Sequence, residues 1–325
     1  MTIHLKKSVV KTGYALLLPL MAMLGWGCGG GEDAAEADPS EYYQVEYTEE
    51  RQPCSANNPN RNLYFGDLHA HTELSFDAYA YDVRTSPAAA YAFATGAEVL
   101  LPPLDVEGRG TRAAQLERPL DFVALTDHVE FLGEIHLCTT PGSASYDSSG
   151  CQDYRQGGED EVVTFGQELA KDSPSRFADI CQESGEACLE AAEQVWTSVV
   201  AAAEEAYDTS ADCTFTSFVG YEYTGSPNIA NNHRNVIFRN ASVPSPPPSY
   251  FEEPLEQELW DALDDACIGD NSGCDFIAVP HNSNWSNGNQ FFLDYREDFI
   301  IQKRQRSAAA FRNEMEPLVE IHQHK

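Results

Sequence analysis

Residues 64–72 form a short aromatic and apolar run that ends in two histidines, with the sequence Tyr64-Phe65-Gly66-Asp67-Leu68-His69-Ala70-His71-Thr72. Successive side chains of a β-strand point to opposite faces, so His69 and His71 share one face of the strand that this run predicts. Two imidazoles at that spacing can bind one cation. Because an H-x-H pair also arises by chance, its interpretation depends on the rest of the chain.

Four further segments carry a histidine or a glutamate in or next to a predicted strand. They are Leu125-Thr126-Asp127-His128, Tyr221-Glu222-Tyr223, Asn232-His233-Arg234 and Pro280-His281-Asn282. α/β sheets place their chemistry at strand ends, so these side chains are expected to converge. Imidazoles and carboxylates suit Zn, Mn or Fe. The five segments together predict a metal centre.

The chain alternates β-branched or aromatic runs with helix-forming segments, which indicates an α/β fold. The predicted strands are Leu63 to Leu68, Asp121 to Thr126, Thr216 to Thr224, Asn235 to Arg239, Asp275 to Val279 and Leu318 to His322. The predicted helices are residues 87 to 95, Ala187 to Tyr207 and Pro254 to Cys267. Residues 132–185 and Val243 to Pro254 do not fit this alternation and are interpreted as insertions. The longer one is expected to form either a lid or a surface excursion.

The composition excludes several classes of protein. The chain has 325 residues, of which 42% are hydrophobic, enough for a core in one large domain or two smaller ones. Asp and Glu number 52 against 20 Lys and Arg, giving a formal net charge of -32. Such a surface repels phosphate backbones, which argues against a nucleic-acid partner. An anionic substrate therefore needs local positive charge from metal ions or a few Arg side chains.

The N-terminus has the features of an export signal. Lys6, Lys7 and Lys11 precede an apolar run from Tyr14 to Leu24 that is too short to span a bilayer, and Cys28 follows. Residues 1–28 resemble a bacterial lipoprotein signal, with simple secretion as the alternative. Residues 29–60 read as a flexible acidic tether. We therefore expect the cell envelope, the periplasm or the exterior, with membrane contact only through a lipid anchor.

The cysteine count agrees with export. Eight cysteines besides Cys28 form an even set, which is typical of disulfides. Cys138 with Cys151 and Cys267 with Cys274 each bracket a loop rich in turn-forming residues and are predicted pairs. A thiolate metal site is disfavoured because the sequence contains no C-x-x-C pair.

These motifs together resemble the PHP family, named for polymerase-associated and histidinol phosphatase domains. The resemblance rests on Asp67 to Thr72, Thr126 to His128, Glu222, His233 and His281, which follow the family's order within a domain over residues 61–325. More narrowly, residues 64–72 and Pro280-His281-Asn282-Ser283-Asn284 look like the bacterial domain of unknown function family 3604. PHP proteins are distorted (β/α)7 TIM-like barrels. The resemblance therefore implies an α/β barrel that is incomplete at the C-terminus of this sequence.

The resemblance also implies a set of ligands for two or three divalent cations (Zn, Mn or Fe). His69 and His71 would bind one metal, Glu222 would bridge, and His233 and His281 would bind the second. His128 would serve a third metal with Asp77, which stands where several family members have a further histidine. The family closes its site with a late Asp-x-His motif. None follows Glu320, so the resemblance predicts a longer protein.

The implied function is an exported metal-dependent hydrolase, a phosphoesterase that attacks a small anionic phosphoester with metal-activated water. Glu222, His128, Asp127 and Arg84 are the predicted catalytic residues, with Arg84 as a clamp for an anionic group. One alternative is a metal-dependent hydrolase of amides, lactones or sulfate esters. Another is a surface lipoprotein that binds a metal or a ligand without turnover.

Ordinary structural roles compete with several of these assignments. Asp67 and Asp127 either orient a ligand imidazole or cap turns, and Arg84 and Arg234 either clamp an anion or form salt bridges. His322 and His324 are separated by one residue, as His69 and His71 are. Packing is favoured over a substrate platform for one set of aromatic residues. These are Tyr79, Tyr81, Trp285, Phe291 and Phe292.

Overall fold

The computed structural model describes residues 50–321 except residues 59, 172, 270–272 and 292–298. The predicted signal, most of the predicted tether, Phe292, His322 and His324 lie outside these residues. Within the described part of the chain, no helix is both long enough and apolar enough to cross a bilayer.

The described strands form two three-stranded sheets and one hairpin. They are β1 (Gly66–Ala70), β2 (Val99–Leu104), β3 (Gly110–Ala114), β4 (Phe122–Leu125), β5 (Thr216–Phe218), β6 (Gly220–Tyr223), β7 (Arg234–Phe238) and β8 (Phe276–Pro280). The sheets have the orders β1-β4-β5 and β6-β7-β8, and β2 pairs with β3. The β2–β3 hairpin was not predicted, because its Pro102-Pro103 pair breaks the pattern of a strand.

The part of the chain that the structure describes contains nine α-helices. They are α1 (Phe76–Ala80), α2 (Pro87–Ala94), α3 (Leu132–Thr139), α4 (Ser149–Tyr154), α5 (Glu159–Leu169), α6 (Ala178–Cys181), α7 (Glu186–Ala206), α8 (Glu256–Asp264) and α9 (Phe299–Met315). The three predicted helices correspond to α2, α7 and α8. The Ser86 side chain accepts a hydrogen bond from Ala89 N, so α2 begins where the Ser-Pro signal predicts. The predicted helix from Pro254 to Cys267 begins later, at Glu256, and changes to a π-helical turn after Asp264.

Three predicted strands differ from the structure. The first, Leu63 to Leu68, lies two to three residues later in the chain, as β1. The segment Thr216 to Thr224 divides at Val219, so that β5 joins the parallel sheet and β6 the antiparallel one. The last predicted strand is described only over residues 318–321, and these residues form no strand. The Glu320 N–H nevertheless donates to the Pro280 carbonyl over 3.0 Å. The β6–β7 connection is too short for the crossover that parallel strands need, which explains their antiparallel pairing.

The two sheets share an interior and one functional edge. Ala124, Ile237 and Val279, from β4, β7 and β8, pack in one apolar cluster. The Glu222 N–H donates to the Asp127 carbonyl over 3.0 Å, which joins β6 to the end of β4. The ends of β1, β4 and β8 therefore meet the start of β7. None of the described sheets closes on itself, and the (β/α)7 barrel stays a prediction.

The segment 132–185, predicted as an insertion, packs into the main core. It contains α3 to α6, and its buried Leu132, Ile135 and Phe165 belong to the same apolar cluster as residues of β4 and α7. Gly133 permits this packing, because a side chain there would collide with the Cys188 backbone of α7. The segment thus brings α5 to the functional edge.

Four disulfides stabilise the described fold. The predicted pairs Cys138–Cys151 and Cys267–Cys274 are both present, together with Cys54–Cys213 and Cys181–Cys188. Such bonds persist in oxidising compartments, which indicates an extracellular or periplasmic protein.

Candidate metal centre

Five predicted histidine ligands and one glutamate converge where the strands meet. His69 lies in β1 and His71 just after it, His128 follows β4, and Glu222 lies in β6. His233 precedes β7 and His281 follows β8, at the same edge because β7 runs antiparallel to both of its neighbours. The side chains of Glu222 and His281 are fully buried. The structure thus brings together residues that are far apart in sequence.

Glu222 divides its two carboxylate oxygens between two pairs of imidazoles. Its Oε2 lies 3.1 Å from His69 Nε2 and 3.2 Å from His71 Nε2. Its Oε1 lies 2.7 Å from His233 Nδ1 and 3.0 Å from His281 Nε2. This is the division expected of a carboxylate that bridges two cations, each held by two histidines.

A third group of ligands forms beside the first pair. His128 Nε2 lies 3.4 Å from Asp77 Oδ2, and His128 Nδ1 lies 3.7 Å from Glu222 Oε1. His71, Asp77 and His128 offer ligand atoms within 4.8 Å of one another. Burial alone would raise the pKa of Asp77, but the attraction of His128 and a hydrogen bond to it hold the pKa below its usual range. Asp77 is therefore available as an ionised ligand.

Glu320 is a member of the site that the sequence did not predict. Its Oε2 lies 2.7 Å from His69 Nδ1, while the other ring nitrogen of His69 faces Glu222. Both nitrogens of one imidazole thus face carboxylates, which requires either a doubly protonated ring or a cation between Nε2 and Glu222. Burial would lower the pKa of His69, but its hydrogen bonds and attraction to Glu222 and Glu320 raise it to about 9.

The donor set fits divalent cations. Around a cation bound at 2.0–2.2 Å, neighbouring ligand atoms are separated by roughly 2.8–3.6 Å, from octahedral to tetrahedral geometry. Three of the four closest contacts of Glu222 lie at 3.0–3.2 Å, within this range, and the contact with His233 is 2.7 Å. Burial opposes ionisation of Glu222, yet the surrounding histidines hold its pKa well below the usual range. Nitrogen and carboxylate donors without thiolate suit Zn, Mn or Fe.

Hydroxyl groups orient several of the imidazoles. Ser75 Oγ lies 2.6 Å from His71 Nδ1, Thr224 Oγ1 lies 2.7 Å from His128 Nδ1, and Ser226 Oγ lies 3.0 Å from His233 Nε2. The buried Glu130 carboxylate accepts the Thr224 N–H over 2.9 Å and so holds that residue in place. Partners of this kind fix the orientation of a metal ligand. No residue pattern in the sequence marked them.

Asp127 caps a turn and makes no hydrogen bond to a ligand imidazole among those the structure describes. Its Oδ1 accepts the Thr72 N–H over 2.5 Å, and its Oδ2 accepts the Thr72 hydroxyl over 2.7 Å. Burial is the first cause of the raised pKa of its carboxyl. Asp127 thus holds the chain that follows His71. This position agrees with the turn-capping alternative for Asp127, and its catalytic role stays a prediction.

The predicted arginine clamps are engaged elsewhere. Arg84 donates to the Tyr79 and Val83 carbonyls over 2.7 and 2.8 Å, and its guanidinium lies 3.7 Å from the centre of the Tyr79 ring. Arg234 is fully buried and forms ion pairs with Glu256 and Glu316, each at 2.8 Å. Arg84 also lies 3.5 Å from Asp82 Oδ1, so both arginines form ion pairs within the fold, as the salt-bridge alternative expected.

The cluster opens into a cavity of about 1120 Å³. His69, His71 and His128 form part of its wall, and α5 contributes Val162 and Leu169. Among the described residues that line it there is no Lys or Arg. The cavity can hold a small organic molecule, and within the described part of its wall the positive charge that would hold an anion comes from the histidines or from bound cations.

Comparison with known proteins agrees with the narrower resemblance. A family model described as "Protein of unknown function (DUF3604)" matches residues 58–325, a span that includes every ligand named above. No curated protein and no solved structure was found to match. The family model matches well over half of the chain, and the chain therefore belongs to the DUF3604 family.

Proposed function

We propose that this protein is a PHP-type metallohydrolase that cleaves phosphoesters. The observation that carries the proposal is the position of Glu222, with one oxygen facing His69 and His71 and the other facing His233 and His281. The order of these ligands along the chain supports the PHP superfamily and, with it, a distorted (β/α)7 barrel.

Each residue of the cluster would have its own role in binding the cations. His69, His71, His233 and His281 would hold two cations, and Glu222 would bridge them. His128 and Asp77, 3.4 Å apart, would hold a third cation beside them. Divalent cations in such a centre lower the pKa of water and stabilise charge on the reacting ester. Glu320 would keep His69 Nδ1 protonated, so that Nε2 presents its lone pair.

The electrostatics favour a phosphoester as the substrate. With a formal charge of -32 and no Lys or Arg among the described cavity residues, the protein supplies little fixed positive charge to an anion. A cluster of cations would provide that charge at one point and would leave the surrounding protein repulsive to anions. Phosphoryl oxygens are well suited to bridge two cations 3.5–4 Å apart.

We also propose that the protein is exported and held by a lipid on Cys28. Disulfides at four places in the described fold support an oxidising compartment. The basic and apolar character of residues 1–28 supports the lipoprotein signal. Mass spectrometry of the protein from membranes tests the anchor, because lipidation would remove residues 1–27 and add acyl chains to Cys28.

Metal analysis combined with an ester-hydrolysis screen tests the enzymatic proposal. We expect two or three Zn, Mn or Fe ions per chain and turnover of at least one phosphoester. Glu222→Gln and His69→Ala should abolish turnover and bind fewer ions while remaining folded. Glu314→Gln, an exposed carboxylate on α9, is the matched control. Full activity in both site variants refutes the proposal, and metal without turnover of any ester favours the binding lipoprotein.

A further inference from the structure

The cavity beside the metal centre has an apolar wall. Phe76, Val162 and Leu169 line it within the fold, and the side chains of Tyr81 and Trp285 line it while remaining 55% and 62% exposed. Large aromatic side chains left half in water at a cavity are typical of binding surfaces, because they offer planar contact area at low entropic cost. A phosphate group alone would leave most of a cavity of about 1120 Å³ empty.

The charges around the cavity limit the charge of its occupant. Glu222, Asp77 and Glu320 contact the histidines, and Asp67 adds a further carboxylate to the wall. These four carboxylates would cancel the charge of two divalent cations, and with three cations a net charge of +2 would remain. The described wall contains no Lys or Arg to balance the extra charges of a dianion or a polyphosphate. In a centre with two cations, a monoanion therefore brings one uncompensated charge where a dianion brings two, and the monoanion suits that centre better.

Building on the proposed function, we infer that the substrate is a singly charged phosphodiester with an aromatic or similarly flat apolar group. The phosphodiester would lie at the metal centre, and its organic group would contact Tyr81 and Trp285. These two residues would thus determine specificity rather than take part in bond cleavage.

Two inert probes of equal charge test the inference by equilibrium binding. Diphenylphosphinate and dimethylphosphinate are both monoanions, and their P–C bonds resist hydrolysis. With the Zn-loaded protein, calorimetry should show diphenylphosphinate binding at least about tenfold more tightly, as burial of a phenyl ring predicts. Trp285→Ala and Tyr81→Ala should each reduce that preference about three- to tenfold. Tyr64→Ala is the control, since Tyr64 is 58% exposed and does not line the cavity.

A turnover comparison tests the charge argument. Bis(p-nitrophenyl) phosphate is a monoanionic diester and p-nitrophenyl phosphate is largely dianionic at pH 8, so kcat/KM should favour the diester at least about tenfold. Equal binding of the two phosphinates, an unchanged preference in both aromatic variants, or a preference for the monoester would overturn the inference. If esters are nevertheless cleaved, the proposed function still holds. A protein that takes up no metal would overturn both.

Discussion

Glu320→Gln removes the charge that faces one ring nitrogen of His69. In the structure Glu320 Oε2 lies 2.7 Å from His69 Nδ1, and the Glu320 side chain is 22% exposed. Gln has the same shape and can still accept a hydrogen bond through its carbonyl oxygen, whereas Ala at this position accepts none. The two substitutions therefore separate the charge of Glu320 from its hydrogen bond.

The expected loss of metal affinity follows from the position of Glu320 behind a ligand. Removing the partner of a ligating histidine typically lowers metal affinity 10- to 100-fold. We expect about tenfold for Glu320→Gln and about 100-fold for Glu320→Ala, or about 1.4 and 2.7 kcal/mol. The smaller loss for Gln reflects a neutral hydrogen bond that is about half as strong as a charge-assisted one.

Competition with a chromophoric Zn chelator measures these affinities, and ¹⁵N NMR of the histidine rings gives the protonation of His69 directly. Glu314→Gln makes the same chemical change at an exposed position on α9 and should leave both readouts unchanged. Metal affinity in Glu320→Ala equal to that of the unmodified protein would refute the orienting role. So would a His69 ring in the zinc-loaded protein that is protonated on Nε2.

Three further predictions concern residues around the site. Asp127→Ala should lower the free energy of unfolding by about 1–3 kcal/mol in urea titrations, because the buried Thr72 loses an acceptor; an unchanged midpoint with an unchanged slope would contradict the capping role. Arg84→Ala should change kcat/KM less than about threefold and lower the melting temperature, since the Arg84 guanidinium donates to backbone carbonyls. A 100-fold drop in kcat/KM would instead support the predicted role of Arg84 as a clamp for an anionic group. Replacing Cys54 and Cys213 with Ala should lower the free energy of unfolding by about 2–5 kcal/mol, because that disulfide closes a loop with a sequence separation of 159 residues. An equal loss on removing Cys181–Cys188, which closes a far shorter loop, would count against the loop-closure explanation.

Local patterns were enough to predict most of the histidines that the fold brings together. His69 and His71 share a face because of the two-residue period of a strand, and the apolar segments before His128 and His281 do form β4 and β8. Turn chemistry around the cysteines predicted two of the four disulfides. Periodicity and turn propensity are properties of neighbouring residues, so they can be read without knowledge of the fold.

Other features depended on contacts between distant parts of the chain. Glu320 meets His69 across 251 positions, and no local pattern distinguishes it from the other acidic residues. Catalytic roles were predicted for Arg84 and Asp127 from their sequence neighbours. In the structure Arg84 donates to backbone carbonyls and Asp127 accepts from Thr72.

The sequence alone determined the export features, the α/β character, the disulfide chemistry and most of the histidines of the cluster, because each is encoded over a few consecutive residues. Only the tertiary structure decided that Glu222 faces both histidine pairs, that Glu320 contacts His69, and that the cavity has an apolar side and no Lys or Arg among its described lining residues. These features arise from packing between segments up to 251 residues apart, and the free energy of that packing is a property of the whole fold.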